Sequence, residues 1–208
     1  PNAGLSNEVT IPVTAAEPAG DWVTVFDETA DFAAGANETG WMNYTFVGVI
    51  PMAALAGSGG TKIRLTLNTG TILSTIVDAM WVGNGGGADP FDFGDTPVQI
   101  TVAGAGRFTI PMNSAVVTDE IDFVKDATNP LLISWQHGAT TETGMKSIPD
   151  SSFAGAGLGN YYGAGSTAGV QDKSGFDLDT TYWRFVSKVE VFTAAATRKK
   201  PRAARKRQ

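Results

Sequence analysis

The sequence predicts an all-β protein, a two-sheet antiparallel sandwich of jelly-roll-like form. Short apolar runs alternate with polar residues at period two, as in a strand with one buried face. Twenty-five Gly and ten Pro punctuate a chain rich in Thr and Val, a composition of short strands and tight turns. No stretch carries a helical period long enough for three turns.

The runs follow in order. Residues 22–26 (Trp22 to Phe26) come first, and 41–50 (Trp41 to Ile50) form a longer apolar run. Residues 61–67 give the clearest alternation, with Ile63, Leu65 and Leu67 against Lys62, Arg64 and Thr66. Further runs lie at 72–82, 98–102, 107–112, 116–124, 131–135 and 182–192. Residues 51–55 have room for one short helical turn. Between runs, residues 56–60 are Gly- and Ser-rich, 83–87 hold three consecutive Gly, and 104–106 are short enough for a hairpin. Pro51, Pro97, Pro111 and Pro130 stand at run edges, where a missing N–H does least harm.

This partition gives an extension at 1–20, one sandwich domain at 21–193 and a basic tail at 194–208. Residues 138–181, with nine Gly, read as one long loop, and loops of that length are uncommon unless functional. Within it Tyr161 and Tyr162, which offer rigid amphipathic area, are the candidate ligand contacts, with His137 at the loop base. The loop is expected at one end of the sandwich, where binding residues gather.

Charge is distributed unevenly. Arg198, Lys199, Lys200, Arg202, Arg205, Lys206 and Arg207 leave 8 basic against 21 acidic residues in the rest of the chain. Phosphate binding depends on positive charge, so nucleic acid would meet only this tail, which also suits an acidic face of a neighbouring subunit; like charges repel, so it equally suits a solvated end. No cysteine is present, so neither disulfides nor thiolate metal sites contribute. The first residues lack the pattern of a secretory signal, and no apolar run of about 20 residues points to a membrane.

Catalytic signals are weak. His137 is the only histidine; Ser134 and Glu142 are near it in sequence, but Ser134 falls inside a strand run and no nucleophile-elbow sequence surrounds any Ser. The glycines at 83–87 match neither a dinucleotide fingerprint nor a Walker sequence, and a flexible turn accounts for them. Asp89, Asp92 and Asp95, near Asn84, supply oxygen ligands of the kind calcium takes, so calcium is the one cofactor the residues suggest. Asp readily makes local turns, and that role weighs more for these three and for Asp177 and Asp179. The five Trp fall mostly in strand runs, where aromatics fill cores; at most one or two are expected exposed.

The block 62–138 carries KIRLTLNTG, DAMWVGNGGGADPFDF, TPVQITVAGAGRFTIPMNSAVVTDEIDF and PLLISWQHG. In this order of strand, small-residue loop, paired strands and closing strand it resembles the non-catalytic β-sandwich that precedes the hydrolase domain of some SGNH (GDSL-type) esterases, and similar modules of phage tail, fibre and head-decoration proteins. The resemblance implies a carbohydrate- or surface-binding accessory. It implies no esterase activity, because the Gly-Asp-Ser nucleophile block is missing. The expectation is a non-enzymatic virion protein, homo-oligomeric and in contact with other virion proteins, that presents a surface to a host receptor or glycan. A carbohydrate-binding accessory of a hydrolase and a capsid protein whose basic tail meets the genome are the alternatives.

Overall fold

The computed structural model describes residues 19–57, 59–138, 143–149, 158–179 and 181–194. The elements are β1 (Gly20–Asp27), α1 (Thr29–Ala34), β2 (Ala36–Glu38), β3 (Tyr44–Ile50), a 3-10 turn (Met52–Ala54) and β4 (Lys62–Asn68). Then come β5 (Thr75–Val77), β6 (Ala79–Asn84), β7 (Val98–Gln99), β8 (Phe108–Ile110), β9 (Ala115–Val117) and β10 (Ile121–Asp122). The last are β11 (Leu131–Gln136), β12 (Met145–Pro149), β13 (Gly159–Ala164), β14 (Asp177–Asp179), β15 (Tyr182–Arg184) and β16 (Val186–Ala194). The protein is all-β and its paired strands are antiparallel, as expected.

One sheet runs β1-β16-β4, with β9 and β10 sharing the far edge of β4. A second runs β14-β13-β3-β11-β6-β7, and two small ribbons, β15-β12-β2 and β5-β8, complete the strands. The two large sheets face each other: Ile63, Leu65, Leu67, Val189 and Val191 from the first meet Phe46, Ile50, Met80, Ile133 and Trp135 from the second in one core. In β4 the predicted alternation holds, with Ile63, Leu65 and Leu67 buried and their polar neighbours half-buried.

The six-stranded sheet is buried on both faces. Along β3, Phe46 and Ile50 join the inner core, whereas Val47 and Val49 join a second cluster with Leu132, Phe91 and Phe93. That cluster lies under two covering segments. Phe93 donates its N–H to the Gln171 carbonyl (3.1 Å), and Phe91 stacks on Phe176 with centroids 5.3 Å apart. Burial on both faces explains why 41–50 and 131–135 read as near-continuous apolar runs rather than alternating ones.

Several runs are split by physical events the pattern does not show. Residues 182–192 break at Phe185, whose φ of 68° turns the chain from the small ribbon into the large sheet. Residues 116–124 break after β9, where the Leu65 N–H is taken by the Thr118 hydroxyl (3.0 Å). The six-residue α1 is too short to announce itself by period; it docks the buried Phe32, worth about 2 kcal/mol of apolar burial. The short turn expected within 51–55 is present as the 3-10 turn.

Two expectations are corrected. Residues 138–181 are not one loop, because β12, β13 and β14 lie within them, and β13 pairs with β3 inside the second sheet. Glycine richness there reflects close approach: a Cβ on Gly163 would stand 3.0 Å from the Phe176 ring. Nor are the glycines at 83–87 a flexible turn. Gly83 lies in β6, and a Cβ there would meet Phe93 Cδ1 at 2.4 Å. Residues 1–18 and 195–208, which hold most of the predicted extension and tail, lie outside the described residues.

Candidate contact surfaces

His137 is 1% exposed. Its Nδ1 is 2.9 Å from the Ile76 carbonyl oxygen; since a carbonyl only accepts, Nδ1 carries the proton. Burial pushes its pKa down to about 4, against the opposing pull of the Ile76 hydrogen bond and the Asp78 charge. A neutral imidazole wedged between Phe46 and Phe185 is a core residue, which corrects its assignment as a ligand contact. Ser134 donates to the Phe46 carbonyl (3.0 Å) inside the sheet rather than to His137, and Glu142 lies outside the described residues.

Tyr161 and Tyr162 sit on opposite faces of β13, as successive strand residues must. Tyr161 packs against Phe91, with ring centroids 5.1 Å apart, under the covering segments. Tyr162 points toward the inner core and meets the Trp41 ring edge-on at 5.6 Å. Both are half-buried parts of a strand, and they do not form one loop-borne contact surface.

Asp89, Asp92 and Asp95 do not converge on one point. The buried Asp92 accepts the N–H groups of Asp89 (3.1 Å) and Lys173 (2.7 Å). Asp95 accepts from the Asn84 backbone (3.1 Å) and side chain (2.8 Å). Among the described residues no group of three or more His, Cys, Asp or Glu is placed to hold a metal ion. The carboxylates of Asp92 and Asp95 pin the covering segment. Lys173 lies 3.9 Å above the centre of the Phe93 ring and donates to the Val170 carbonyl (2.6 Å). Burial pulls its pKa down to about 8.

Sequence reasoning missed a buried ionic hub. Arg184, 2% exposed, donates from Nε to Glu38 (2.7 Å) and pairs through Nη2 with Asp179 (2.7 Å). Its guanidinium lies 5.2 Å from the Trp41 ring centre, and Trp41 donates its indole N–H to Glu38 (3.0 Å). The hub ties β2, β14 and β15 together beside the half-buried Trp41. Asp179 thereby has a structural task that its turn-like sequence did not signal.

The outer face of the β1-β16-β4 sheet is the other missed feature. Unlike the six-stranded sheet it keeps a half-exposed row on each strand. Trp22 and Phe192, opposite each other in register, meet edge-on at 5.7 Å. Arg64 lies 4.3 Å over the Trp22 ring and grips Glu190 with two hydrogen bonds, 2.9 and 3.3 Å. Lys188 reaches the same carboxylate at 3.1 Å. Burial alone would push the Glu190 pKa up, but the hydrogen bonds and charges of Arg64 and Lys188 outweigh it and hold it low. Val117, across from Thr66, extends the apolar part and is 51% exposed. The signal was present in residues 188–192, where Phe192 falls in phase with Lys188 and Glu190 on the polar face.

None of the five Trp is fully exposed: Trp135 and Trp183 are buried and the others half-buried. The basic residues Arg198, Lys199, Lys200, Arg202, Arg205, Lys206 and Arg207 lie outside the described residues. Among the described residues no helix is long and apolar enough to cross a membrane. No protein-family model matches the chain, and no curated protein matches it significantly.

Proposed function

We propose that this protein is a non-enzymatic virion component of a phage-like particle, a jelly-roll-like module that works by contact, with the open face of the β1-β16-β4 sheet set against a neighbouring subunit. The carrying observation is the contrast between the two sheets. One has its outer face sealed by Phe91, Phe93 and Phe176, while the other displays Trp22, Phe192 and Arg64. Aromatic residues and Arg are the types that dominate protein interfaces. Its one histidine is locked in the core, and the carboxylates of Asp92 and Asp95 are taken up by internal hydrogen bonds. The likeness of residues 62–138 to accessory sandwiches of phage proteins supplies the setting.

The test is immunogold electron microscopy of purified particles with an antibody against this chain. Regular labelling at a fixed site on the particle is the expected result; particles that never label would sink the reading. Carbohydrate binding is a second reading, favoured by the cluster of Trp41, Tyr44 and Tyr162, whose rings meet at 5.4 to 6.1 Å. A glycan array probed with the purified chain separates the two.

A further inference from the structure

We propose that the basic segment 198–207 docks in cis into a groove on the chain's own body, formed between residues 95–98 and the β10 edge. The groove encloses about 310 Å³ and is lined by Thr61, Asp95, Thr96, Val98, Asp122, Phe123 and Val124. Its apolar part includes Val124, which at 71% is the most exposed of the large hydrophobic side chains described. Its rim carries exposed Asp122 and Asp95, the latter accepting from Asn84, with Glu120 beside them 4.0 Å from Lys62. The other nearby cation, Lys125, is turned inward, donating to the Asp126 carbonyl (2.8 Å).

The occupant follows from where the described chain ends. Strand β16 runs to Ala194, and two residues earlier the Phe192 carbonyl accepts the N–H of Thr61 (2.9 Å), itself a groove residue. Thr61 in turn accepts from Phe123 (3.1 Å) at the β10 edge. Strands β16, β4 and β10 are successive neighbours, so the groove lies about two strand spacings, or about 10 Å, from the exit of the chain. Arg202 is eight residues beyond Ala194, a reach of up to about 28 Å when extended. A run of seven cations is thus tethered beside an apolar trough with an acidic rim, at the high local concentration a short tether gives. Docking there shields the cations from phosphate, so the body regulates its own basic segment. The inference is independent of the virion reading.

The chain has no cysteine, which allows disulfide trapping in the full-length protein. One variant carries Val124→Cys with Arg202→Cys. A control carries Thr24→Cys with Arg202→Cys, placing the first thiol on the opposite side of β16, in register with Glu190 and still within the reach of about 28 Å. The expected result is an intramolecular disulfide at Val124 at least about fivefold more abundant than at Thr24, falling toward the control level near 1 M salt, where charges are screened within about 3 Å. Adding Asp122→Asn should lower the yield as well, and Asp122 is exposed, so the fold is unaffected. Equal trapping at both positions, or trapping indifferent to salt, would overturn the proposal. A disulfide-linked dimer would also overturn it, by placing the segment on a second copy.

Discussion

Replacing Arg184 with Met removes the cation shared by Glu38 and Asp179 in the buried hub. The guanidinium is 2.7 Å from each carboxylate, and both acids are largely shielded, with side chains 15% and 14% exposed. Removing one partner of a buried pair leaves uncompensated charge and costs about 3–5 kcal/mol. In a chain of this size that corresponds to a fall in Tm of about 6–20 °C. Thermal unfolding followed by far-UV circular dichroism at pH 7 reads it directly. A second variant, Glu38→Gln with Asp179→Asn and Arg184→Met, removes the stranded charges and should recover about half or more of the loss, because a neutral replacement of a buried pair is far less costly than a broken one. A loss below about 1 kcal/mol for Arg184→Met would refute the hub as a structural lock. So would a triple variant no more stable than the single one.

Other outcomes follow from the same structure. Tyr161→Ala and Tyr162→Ala should each cost about 2 kcal/mol in urea unfolding, since each ring is half-buried in β13 rather than displayed on a loop. Gly83→Ala should cost about 1–3 kcal/mol by pressing a methyl into Phe93, and a neutral result in the same assay would deny the tight seal of the covering segment. For His137 the folded pKa of about 4 lies below the unfolded value, so the unfolded chain binds more protons between the two. Its contribution is therefore complete above about pH 6.5 and is lost as pH falls toward 4, by about 3 kcal/mol. In pH-dependent denaturant titrations His137→Phe should flatten that part of the profile; an unchanged slope would show that His137 does not titrate there.

The fold class was legible because period-two burial writes itself into composition wherever one face meets water, as in Lys62 to Asn68. It was less legible where glycine takes part in packing. Gly159 and Gly163 made β13 read as loop, although glycine there clears space for neighbouring rings, and Tyr161 and Tyr162 were misplaced with it. His137 was ambiguous for a different reason: sequence shows a polar residue at a strand end, while its fate depends on Phe46 and Phe185, which are remote in the chain. The Arg184 hub is likewise built from residues separated by up to 146 positions, and no local pattern announces such a pairing. The Trp22 and Phe192 face was within reach, since a large aromatic in the polar phase of a strand already breaks the pattern.

The central claim is that the open sheet face is where this protein meets its neighbour. A cryo-EM reconstruction of a particle containing the chain tests it most directly, by showing which surface is covered. The account predicts density from an adjoining subunit against Trp22, Phe192, Arg64 and Val117. If that face stands open to solvent while contact is made elsewhere on the sandwich, the claim is contradicted.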